Sequence, residues 1–525
     1  MRRTFTLALL AGSGAASALA FPRTGMWPLI LVGLAPLLAA IPSGASASLA
    51  AMGLAWGCGY FATLLSWLYR FFRQYGALDR ATSFVLLALL VVYLALYPAA
   101  FALIGGRWAR RFPSATALLL PSLWVILEWL RGHALSGFPW GLVGYAVTPC
   151  LPAIQIASVA GIYGVSFLVV LTNLLLAQWI RRFSVGARLW RSTDLLCVLL
   201  LAGALGWGGL VVRKSTQNAP TVSVAIVQAS VPQDEKWNAS SAWSIFEKHE
   251  RLTEEAARAR PVVVLWPESS SPYPLATPSD TDPKGFRPNR QYRERLEALA
   301  RRLNIALLFG TVDYREREGK VRPLNAAALV RSDGTWGETY AKMHLVPFGE
   351  YVPLGWVLSF VDQWVKGAIG EFAPGKKPVV ITAGSLRVGT TICYEMVFPE
   401  LVRRFTARGA TVLANLTNDA WFGTSSGPLQ HFEMARVRAV ENRRYLVRAA
   451  NTGISAVIDP VGRVLAQSSL MQERVLQGRV SSRTGLSPYA RHGDSFVILC
   501  AILAAAALAA GFRRTAGGED GWRDE

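Results

Sequence analysis

Long apolar runs occupy both ends of the chain, and a stretch of mixed polar and apolar residues lies between them. Several of these runs approach the roughly 20 residues that a helix needs to cross a bilayer. The candidate spans cover residues 5–21, 27–42, 49–70, 82–106, 115–130, 156–180, 193–212 and 495–512. The pattern therefore predicts a bundle of about seven helices over residues 1–212, an inserted domain over 213–494, an eighth membrane helix over 495–512 and a tail over 513–525.

The inserted domain alternates between two kinds of pattern. Short runs rich in β-branched residues predict strands at 222–228, 262–266, 305–312 and 326–330. Charged segments with helical periodicity predict helices at 241–260, 290–303 and 428–445. Alternation of strands and helices over this length is typical of an α/β domain built around buried sheets.

Composition and the placement of arginines indicate a membrane protein and its orientation. Hydrophobic residues make up 52% of the chain and charged residues 17%, and the mean hydropathy is +0.30, which excludes an ordinary soluble domain. Loops on the cytoplasmic side carry an excess of Lys and Arg. With a cytoplasmic N-terminus, the inner loops hold Arg2, Arg3, Arg107, Arg110, Arg111, Arg181, Arg182, Arg188, Arg191, Arg513 and Arg514, and the short outer loops only Arg23, Arg70, Arg73, Arg80 and Arg131. The inserted domain then lies outside the cytoplasm, and the tail inside it.

Two further features of the chain leave this orientation unchanged. The first 20 residues also resemble a cleavable signal peptide, whose removal would leave seven spans. The net charge of +20 would suit a nucleic-acid partner, but much of the excess is arginine beside the spans, where anionic lipid headgroups explain it. No groove-reading motif accompanies the charge, so we expect no nucleic-acid binding.

Three polar residues of the inserted domain stand where polarity needs a reason. Cys393 is the only cysteine between residues 213 and 494 and follows a β-rich run at a turn, where an exposed sulfur is expected. Glu268 ends an apolar strand, and Lys342 lies among apolar neighbours. A carboxylate, an ammonium and a thiol form an acyl-transfer set of base, oxyanion stabiliser and nucleophile.

Each of these residues also has a structural interpretation. Free cysteines are often buried packing residues. A glutamate at a strand end can be a cap or a solvated turn residue, and a lysine among apolar residues can extend its ammonium to water. Sequence separation alone does not show that the three side chains meet.

Longer motifs around these residues resemble those of the nitrilase superfamily. Within it, nearly the whole chain is similar to the apolipoprotein N-acyltransferases of bacterial envelopes. The resemblance rests on residues 136–141 (SGFPWG), 266–268 (WPE), 342–350 (KMHLVPFGE), 393–395 (CYE) and 418–422 (NDAWF), in this order, together with the predicted spans. It implies an α-β-β-α sandwich in the inserted domain.

The resemblance also implies residue roles. Glu268 would be the general base, Lys342 the cation that stabilises the oxyanion, and Cys393 the nucleophile that becomes a thioester. Glu350 would orient Lys342 or share in proton transfer. Further positions that the family needs, supporting the site or binding substrate, are matched by Trp237, Tyr394, Glu395 and Trp421.

The implied reaction is a two-step acyl transfer in the bacterial inner membrane, with the inserted domain on the periplasmic side. The donor would be a phospholipid, and the acceptor the N-terminal α-amine of a diacylglyceryl-modified apolipoprotein. We expect a monomer without a cofactor, and no metal, because the five histidines lack ligand spacing. A membrane-tethered hydrolase of small amides or nitriles and a transporter with an outer binding domain remain alternatives.

Two smaller features carry hypotheses of their own. Residues 360–372 combine Phe360, Trp364 and Phe372 with glycines, which predicts a mobile arm that contacts the membrane and gates the site, although a packed loop is the alternative. Glu128 and Arg131 stand at helical spacing near the end of a span. We expect them to form a structural ion pair or to anchor the loop of Trp140, rather than to serve the chemistry.

Overall fold

The computed structural model describes residues 2–42, 44–76, 78–188, 190–215, 220–236, 238–271, 273, 290–317, 320–347, 349–351 and 372–516. The chain folds into two compact units. The first consists of Met1–Arg73, Leu78–Lys214 and His492–Glu525, and the second of Gln74–Ala77 and Ser215–Arg491. The domain boundaries drawn from the sequence stay predictions.

The first unit is helical. Its helices are α1 (Arg2–Ala18), α2 (Ala35–Ala40), α3 (Ser46–Leu64), α4 (Trp67–Gln74), α5 (Arg80–Arg111), α6 (Thr116–Arg131), α7 (Leu151–Ile154), α8 (Ala157–Ser184), α9 (Ser192–Lys214) and a C-terminal helix, Ser495–Ala516. Within the described residues, five segments are long and apolar enough to cross a membrane: Ser46–Leu64, Arg80–Arg111, Pro113–Arg131, Ala157–Ser184 and Ser192–Lys214. Trp27–Ala40 and Ser495–Ala509 are apolar but shorter. The count of eight spans stays a prediction.

Glu128 and Arg131 hold the loop that follows α6. The Glu128 carboxylate accepts a hydrogen bond from the backbone N–H of Val143 at 2.9 Å. The Arg131 guanidinium donates to the carbonyl oxygens of Trp140 at 2.7 Å and Phe138 at 3.2 Å. Both side chains are buried. These contacts support the hypothesis that the two residues anchor the Trp140 loop.

The second unit contains two six-stranded sheets. The strands are β1 (Val222–Gln228), β2 (Val263–Leu265), β3 (Ala306–Arg317), β4 (Lys320–Val330), β5 (Trp336–Ala341), β6 (Val380–Ala383), β7 (Leu386–Ile392), β8 (Val412–Thr417), β9 (Leu446–Ala450), β10 (Ala456–Ile458), β11 (Val464–Gln467) and β12 (Arg474–Val480). One sheet has the order β12-β1-β2-β3-β4-β5 and the other β11-β10-β9-β8-β7-β6. Strands β1 to β3 are parallel to one another, as are β7 to β9.

The second unit also contains six α-helices among its described residues, and the longer ones pack against the sheets. The six helices are α10 (Gln233–Lys236), α11 (Ala242–Ala257), α12 (Arg290–Leu303), α13 (Pro399–Ala407), α14 (Gly427–Asn442) and α15 (Pro488–His492). Successive side chains of a strand point to opposite faces of its sheet. In β1, Ala225 and Val227 join a core with α11 and α12, whereas Val224 and Ile226 join a second core that contains residues of both sheets. The result is an α-β-β-α sandwich.

Candidate active site

The predicted catalytic residues all follow the carboxyl ends of strands. Glu268 lies three residues after β2 ends, Lys342 directly follows β5, and Cys393 directly follows β7. The turn that carries Glu268 packs against β3 at Gly310, where an added Cβ would lie 2.5 Å from the Glu268 Cα. Only glycine allows this approach, so the position of Glu268 depends on the backbone of β3.

Lys342 connects two carboxylates. Its Nζ lies 3.0 Å from Glu350 Oε1 and 3.5 Å from Glu268 Oε1. The lysine side chain is 1% exposed. Burial lowers the pKa of Lys342, but the charges of Glu350 and Glu268 more than offset this and leave the pKa above its ordinary value. Lys342 is therefore a fixed positive charge at neutral pH.

Asn325 joins the same two carboxylates and was missed by the sequence analysis. Its Nδ2 donates to Glu268 Oε1 and to Glu350 Oε1, both at 2.8 Å. The other oxygen of Glu268 accepts the backbone N–H of Asn418 at 2.8 Å. A polar residue in the buried part of strand β4 was the available signal. Because these hydrogen bonds fix both oxygens of Glu268, its carboxylate is held in one orientation.

Cys393 begins a 3₁₀ helix, Cys393–Val397, and has a left-handed backbone with φ 49°. The prediction of an exposed sulfur at this turn was wrong, because Cys393 is 7% exposed and belongs to the core between the sheets. Burial raises the pKa of the Cys393 thiol, and the Glu268 charge raises it further, whereas Lys342 opposes this. The resting thiol is therefore protonated, and its reaction as a nucleophile requires a base.

Lys236 is a second buried ammonium near the site. It ends α10 and donates from Nζ to the backbone carbonyl oxygen of Glu268 at 2.8 Å. Burial lowers the pKa of Lys236 to about 8, against the charges of Glu268 and Cys393. No sequence motif had singled out this residue.

Glu395 ties the lysine segment to the cysteine turn. Its Oε1 accepts the Tyr340 hydroxyl and the Met343 N–H, both at 2.6 Å. Its Oε2 accepts the Ile392 N–H at 2.8 Å. Burial raises the pKa of Glu395 to about 7, and the Tyr340 hydrogen bond opposes the rise. Glu395 thus links the two segments from a fully buried position.

The remaining predicted residues are placed as follows. Tyr394 is half-buried, with its ring edge-on to Phe398 at 5.1 Å. Trp421 is half-buried and lies edge-on to Tyr75, which belongs to the same compact unit. Phe372 is buried, and its N–H donates to the Glu350 carbonyl oxygen at 3.0 Å. Trp237, Phe360 and Trp364 lie outside the described residues. Among the described residues, no group of three His, Cys, Asp or Glu side chains could hold a metal.

Comparisons with known proteins match both parts of the chain. Residues 223–489 match the carbon-nitrogen hydrolase family, and residues 13–175 the apolipoprotein N-acyltransferase N-terminal domain. The apolipoprotein N-acyltransferase of Geobacter metallireducens is 38% identical, over 98% of this chain and 96% of that protein. The chain belongs to the apolipoprotein N-acyltransferase family. The Azotobacter vinelandii member of this family is 35% identical over 92% of this chain and 90% of that protein.

Solved structures of carbon-nitrogen hydrolases are similar to part of the chain. An amidase from Nesterenkonia sp. is 22% identical, with a TM-score of 0.39, and the match covers 54% of this chain and 96% of that one. The comparisons match the family predicted from the sequence motifs.

Proposed function

We propose that this apolipoprotein N-acyltransferase family member transfers an acyl chain from a phospholipid, through a thioester on Cys393, to the N-terminal α-amine of diacylglyceryl-cysteine on apolipoproteins. The observation that carries the proposal is the arrangement around a buried thiol. The Glu268 carboxylate and the Lys342 ammonium are both close enough to the Cys393 thiol to shift its pKa, in opposite directions. The catalytic side chains lie in one unit, and the other unit contains apolar helices suited to lipid.

In the first half-reaction, Glu268 accepts the thiol proton and the sulfur of Cys393 attacks the ester carbonyl carbon of the phospholipid. The Lys342 ammonium stabilises the negative charge that develops on the carbonyl oxygen. The C–O bond of the ester then breaks. The lysophospholipid leaves as an alcohol after it receives the proton held by Glu268, and the acyl chain stays on sulfur.

In the second half-reaction, the neutral α-amine of the acceptor attacks the thioester carbonyl carbon. Glu268 accepts the amine proton, the C–S bond breaks, and the leaving thiolate takes that proton from Glu268 as the amide departs. Because one product departs before the acceptor reacts, ping-pong kinetics follow. The supporting roles of Glu350, Tyr394, Glu395, Trp237 and Trp421 belong to this proposal.

The acyl chain explains why the enzyme belongs to the membrane. Moving a long chain from lipid into water costs about 0.8 kcal/mol per CH₂ group. A site at the surface of the inner membrane avoids this cost. We infer a bundle of about eight spans with the catalytic unit on the periplasmic side, supported by the arginine distribution and the apolar helices. Phe360, Trp364 and Phe372 would form the gating arm of this site.

The test uses the full-length protein in phospholipid vesicles with a synthetic diacylglyceryl-cysteine peptide. Mass spectrometry is expected to detect the N-acylated peptide and a lysophospholipid in equal amounts, and neither product with Cys393→Ala. Hydrolysis of a small amide without peptide acylation would support the hydrolase instead. Activity that persists in Cys393→Ala would overturn the nucleophile and favour a binding or transport role.

A further inference from the structure

The backbone of Cys393 is strained, so its surroundings must hold it. A φ of 49° is unfavourable for a residue with a side chain and persists only where neighbouring contacts enforce it. The carbonyl oxygen of Cys393 accepts a hydrogen bond from Asn415 Nδ2 at 3.4 Å. The Thr417 side chain lies beside the Cys393 sulfur, where it lowers the pKa of the thiol. Asn415 and Thr417 lie on β8, next to the strand that ends at the cysteine.

Arg448, on β9, is connected by hydrogen bonds to Asn415 directly and to Thr417 through Asp419. One terminal nitrogen of its guanidinium, Nη1, donates to Asn415 Oδ1, and the other, Nη2, donates to Asp419 Oδ2 at 2.7 Å. Asp419 Oδ1 in turn accepts the Thr417 hydroxyl at 2.9 Å. One side chain therefore braces both the carbonyl group and the thiol of Cys393.

The network is enclosed and its geometry is tight. Asn415, Thr417, Asp419 and Arg448 are all fully buried. Gly453 makes room for the carboxylate, because an added Cβ there would lie 2.2 Å from Asp419 Oδ2. Arg448 also donates from Nε to the carbonyl oxygen of Ile454 at 3.2 Å, which fixes the plane of its guanidinium. A planar group held at three nitrogens has little freedom to rotate.

We propose that Arg448 is a positioning residue for the nucleophile, acting through Asn415 on the Cys393 backbone and through Asp419 and Thr417 on its sulfur. We call these four residues, Asn415, Thr417, Asp419 and Arg448, the cysteine clamp. The Thr417 hydroxyl has a single hydrogen, which it donates to Asp419 in this structure. When the thiolate forms, rotation of that hydroxyl would let it donate to sulfur instead.

The charged residues of the clamp also influence the pKa of the Cys393 thiol. The charged and titratable groups that act on Cys393 or contact it are Glu268 after β2, Lys342 after β5, Lys236 of α10, Asp419 after β8 and His431 of α14. The Asp419 carboxylate raises the pKa of the Cys393 thiol. Arg448, ion-paired with Asp419, opposes this effect. Removing either partner alone therefore leaves the other uncompensated beside the sulfur.

The clamp predicts that two substitutions shift the pH midpoint of Cys393 alkylation in opposite directions, and this can be measured. The full-length protein in detergent is alkylated with iodoacetamide over a range of pH, and labelling of the Cys393 peptide is quantified by mass spectrometry. Asp419→Asn is expected to move the midpoint to lower pH and Arg448→Met to higher pH, each by about one unit or more. A merely structural role would move both in the same direction or neither.

Conservative variants separate charge from geometry. Arg448→Lys keeps the charge and cannot hold Asn415 and Asp419 together, so its titration should stay near that of the wild type while kcat for thioester formation falls at least tenfold. Thr417→Ser keeps the hydroxyl and should behave as wild type, whereas Thr417→Val should lower kcat at least tenfold without a change in KM. Equal rates for the Ser and Val variants would overturn the sulfur arm of the clamp.

The Arg438–Glu441 pair on α14 supplies a matched control. Its side chains are buried to the same degree as Arg448 and Asp419. Arg438→Met and Glu441→Gln should leave the midpoint of Cys393 alkylation unchanged, even where they lower the melting temperature. If Arg448→Met does not fold, Asp419→Asn and the Thr417 pair decide the question. The inference requires Cys393 to be the nucleophile, but alkylation does not depend on acyl transfer, so the two proposals can fail separately.

Discussion

Replacing Glu395 with glutamine removes a pH-dependent part of the protein's stability. Burial raises the pKa of Glu395 from its ordinary value of 4.5 to about 7. A carboxyl group whose pKa is higher in the folded state contributes stability that is fully present below its unfolded pKa and is lost as pH rises through its folded pKa. At roughly 1.4 kcal/mol per pH unit, this contribution amounts to about 3 kcal/mol between pH 4.5 and 7.

Glutamine does not titrate, so the Glu395→Gln variant lacks this pH-dependent contribution. The variant also loses one hydrogen bond at every pH. Its amide oxygen can still accept from Tyr340 and Met343, but its NH₂ group then faces the Ile392 N–H, which donated to Glu395 Oε2. A buried donor left without an acceptor costs roughly 1–3 kcal/mol. This second loss does not depend on pH, so the two effects can be separated.

The assay is the melting temperature of the full-length protein in detergent between pH 5 and 8. For a unit of this size, 1 kcal/mol corresponds to roughly 2–4 °C. The advantage of the wild type over Glu395→Gln should therefore shrink by roughly 6–12 °C as the pH rises through this range. Tyr340→Phe keeps the titrating carboxyl group and should keep or enlarge the pH dependence, because the Tyr340 hydrogen bond opposes the rise in the pKa of Glu395. Parallel melting curves for wild type and Glu395→Gln would refute the reasoning.

Three further substitutions test the site. Lys342→Met should lower the single-turnover rate of thioester formation by about 10²–10³-fold, because the developing oxyanion loses its cation; a rate within threefold of wild type would contradict this role. Asn325→Leu should lower kcat at least tenfold while the melting temperature falls, since Glu268 and Glu350 each lose a 2.8 Å hydrogen bond; unchanged kcat would show that Lys342 and the Asn418 N–H orient Glu268 without Asn325. Lys236→Met should remove a gain in stability that the wild type shows as pH rises from about 8 to 10.5, because a lysine with a lowered pKa stabilises the fold only once it is neutral. Equal slopes of melting temperature against pH in this range would argue against the buried charge.

Sequence patterns correctly predicted the helices and strands in which the apolar residues of the local pattern are also the residues buried in the fold. Strand β1 and helix α12 occupy the predicted ranges, because β-branched alternation and helical charge spacing coincide there with burial. Helix α14 ends at Asn442 rather than 445, since Arg443 adopts a left-handed conformation at φ 50° and caps it. The hairpin of β3 and β4 extends beyond its predicted strands into polar residues, where pairing between the strands replaces the apolar signal.

The candidate site was predictable only where a residue stands in a motif. Glu268, Lys342 and Cys393 were proposed in this way, and their catalytic roles stay predictions. Asn325, on β4, binds Glu268 and Glu350 because the fold brings these distant parts of the chain together. A local sequence pattern does not show that proximity. The burial of Cys393 was only an alternative in the sequence analysis for the same reason, because strands distant in sequence cover it. Residues that hold others in place are therefore the ones that require the structure.

The central claim is that Cys393 carries the acyl chain between donor and acceptor. Intact mass spectrometry of the full-length protein, after incubation with phospholipid vesicles of one defined chain length, tests it most directly. The account predicts a mass increase of one acyl group, located on Cys393, removed by hydroxylamine and discharged by a diacylglyceryl-cysteine peptide as its amide. Glu268→Gln serves as the control and should acquire the adduct at least tenfold more slowly. Peptide acylation by a protein that never carries this adduct would contradict the account.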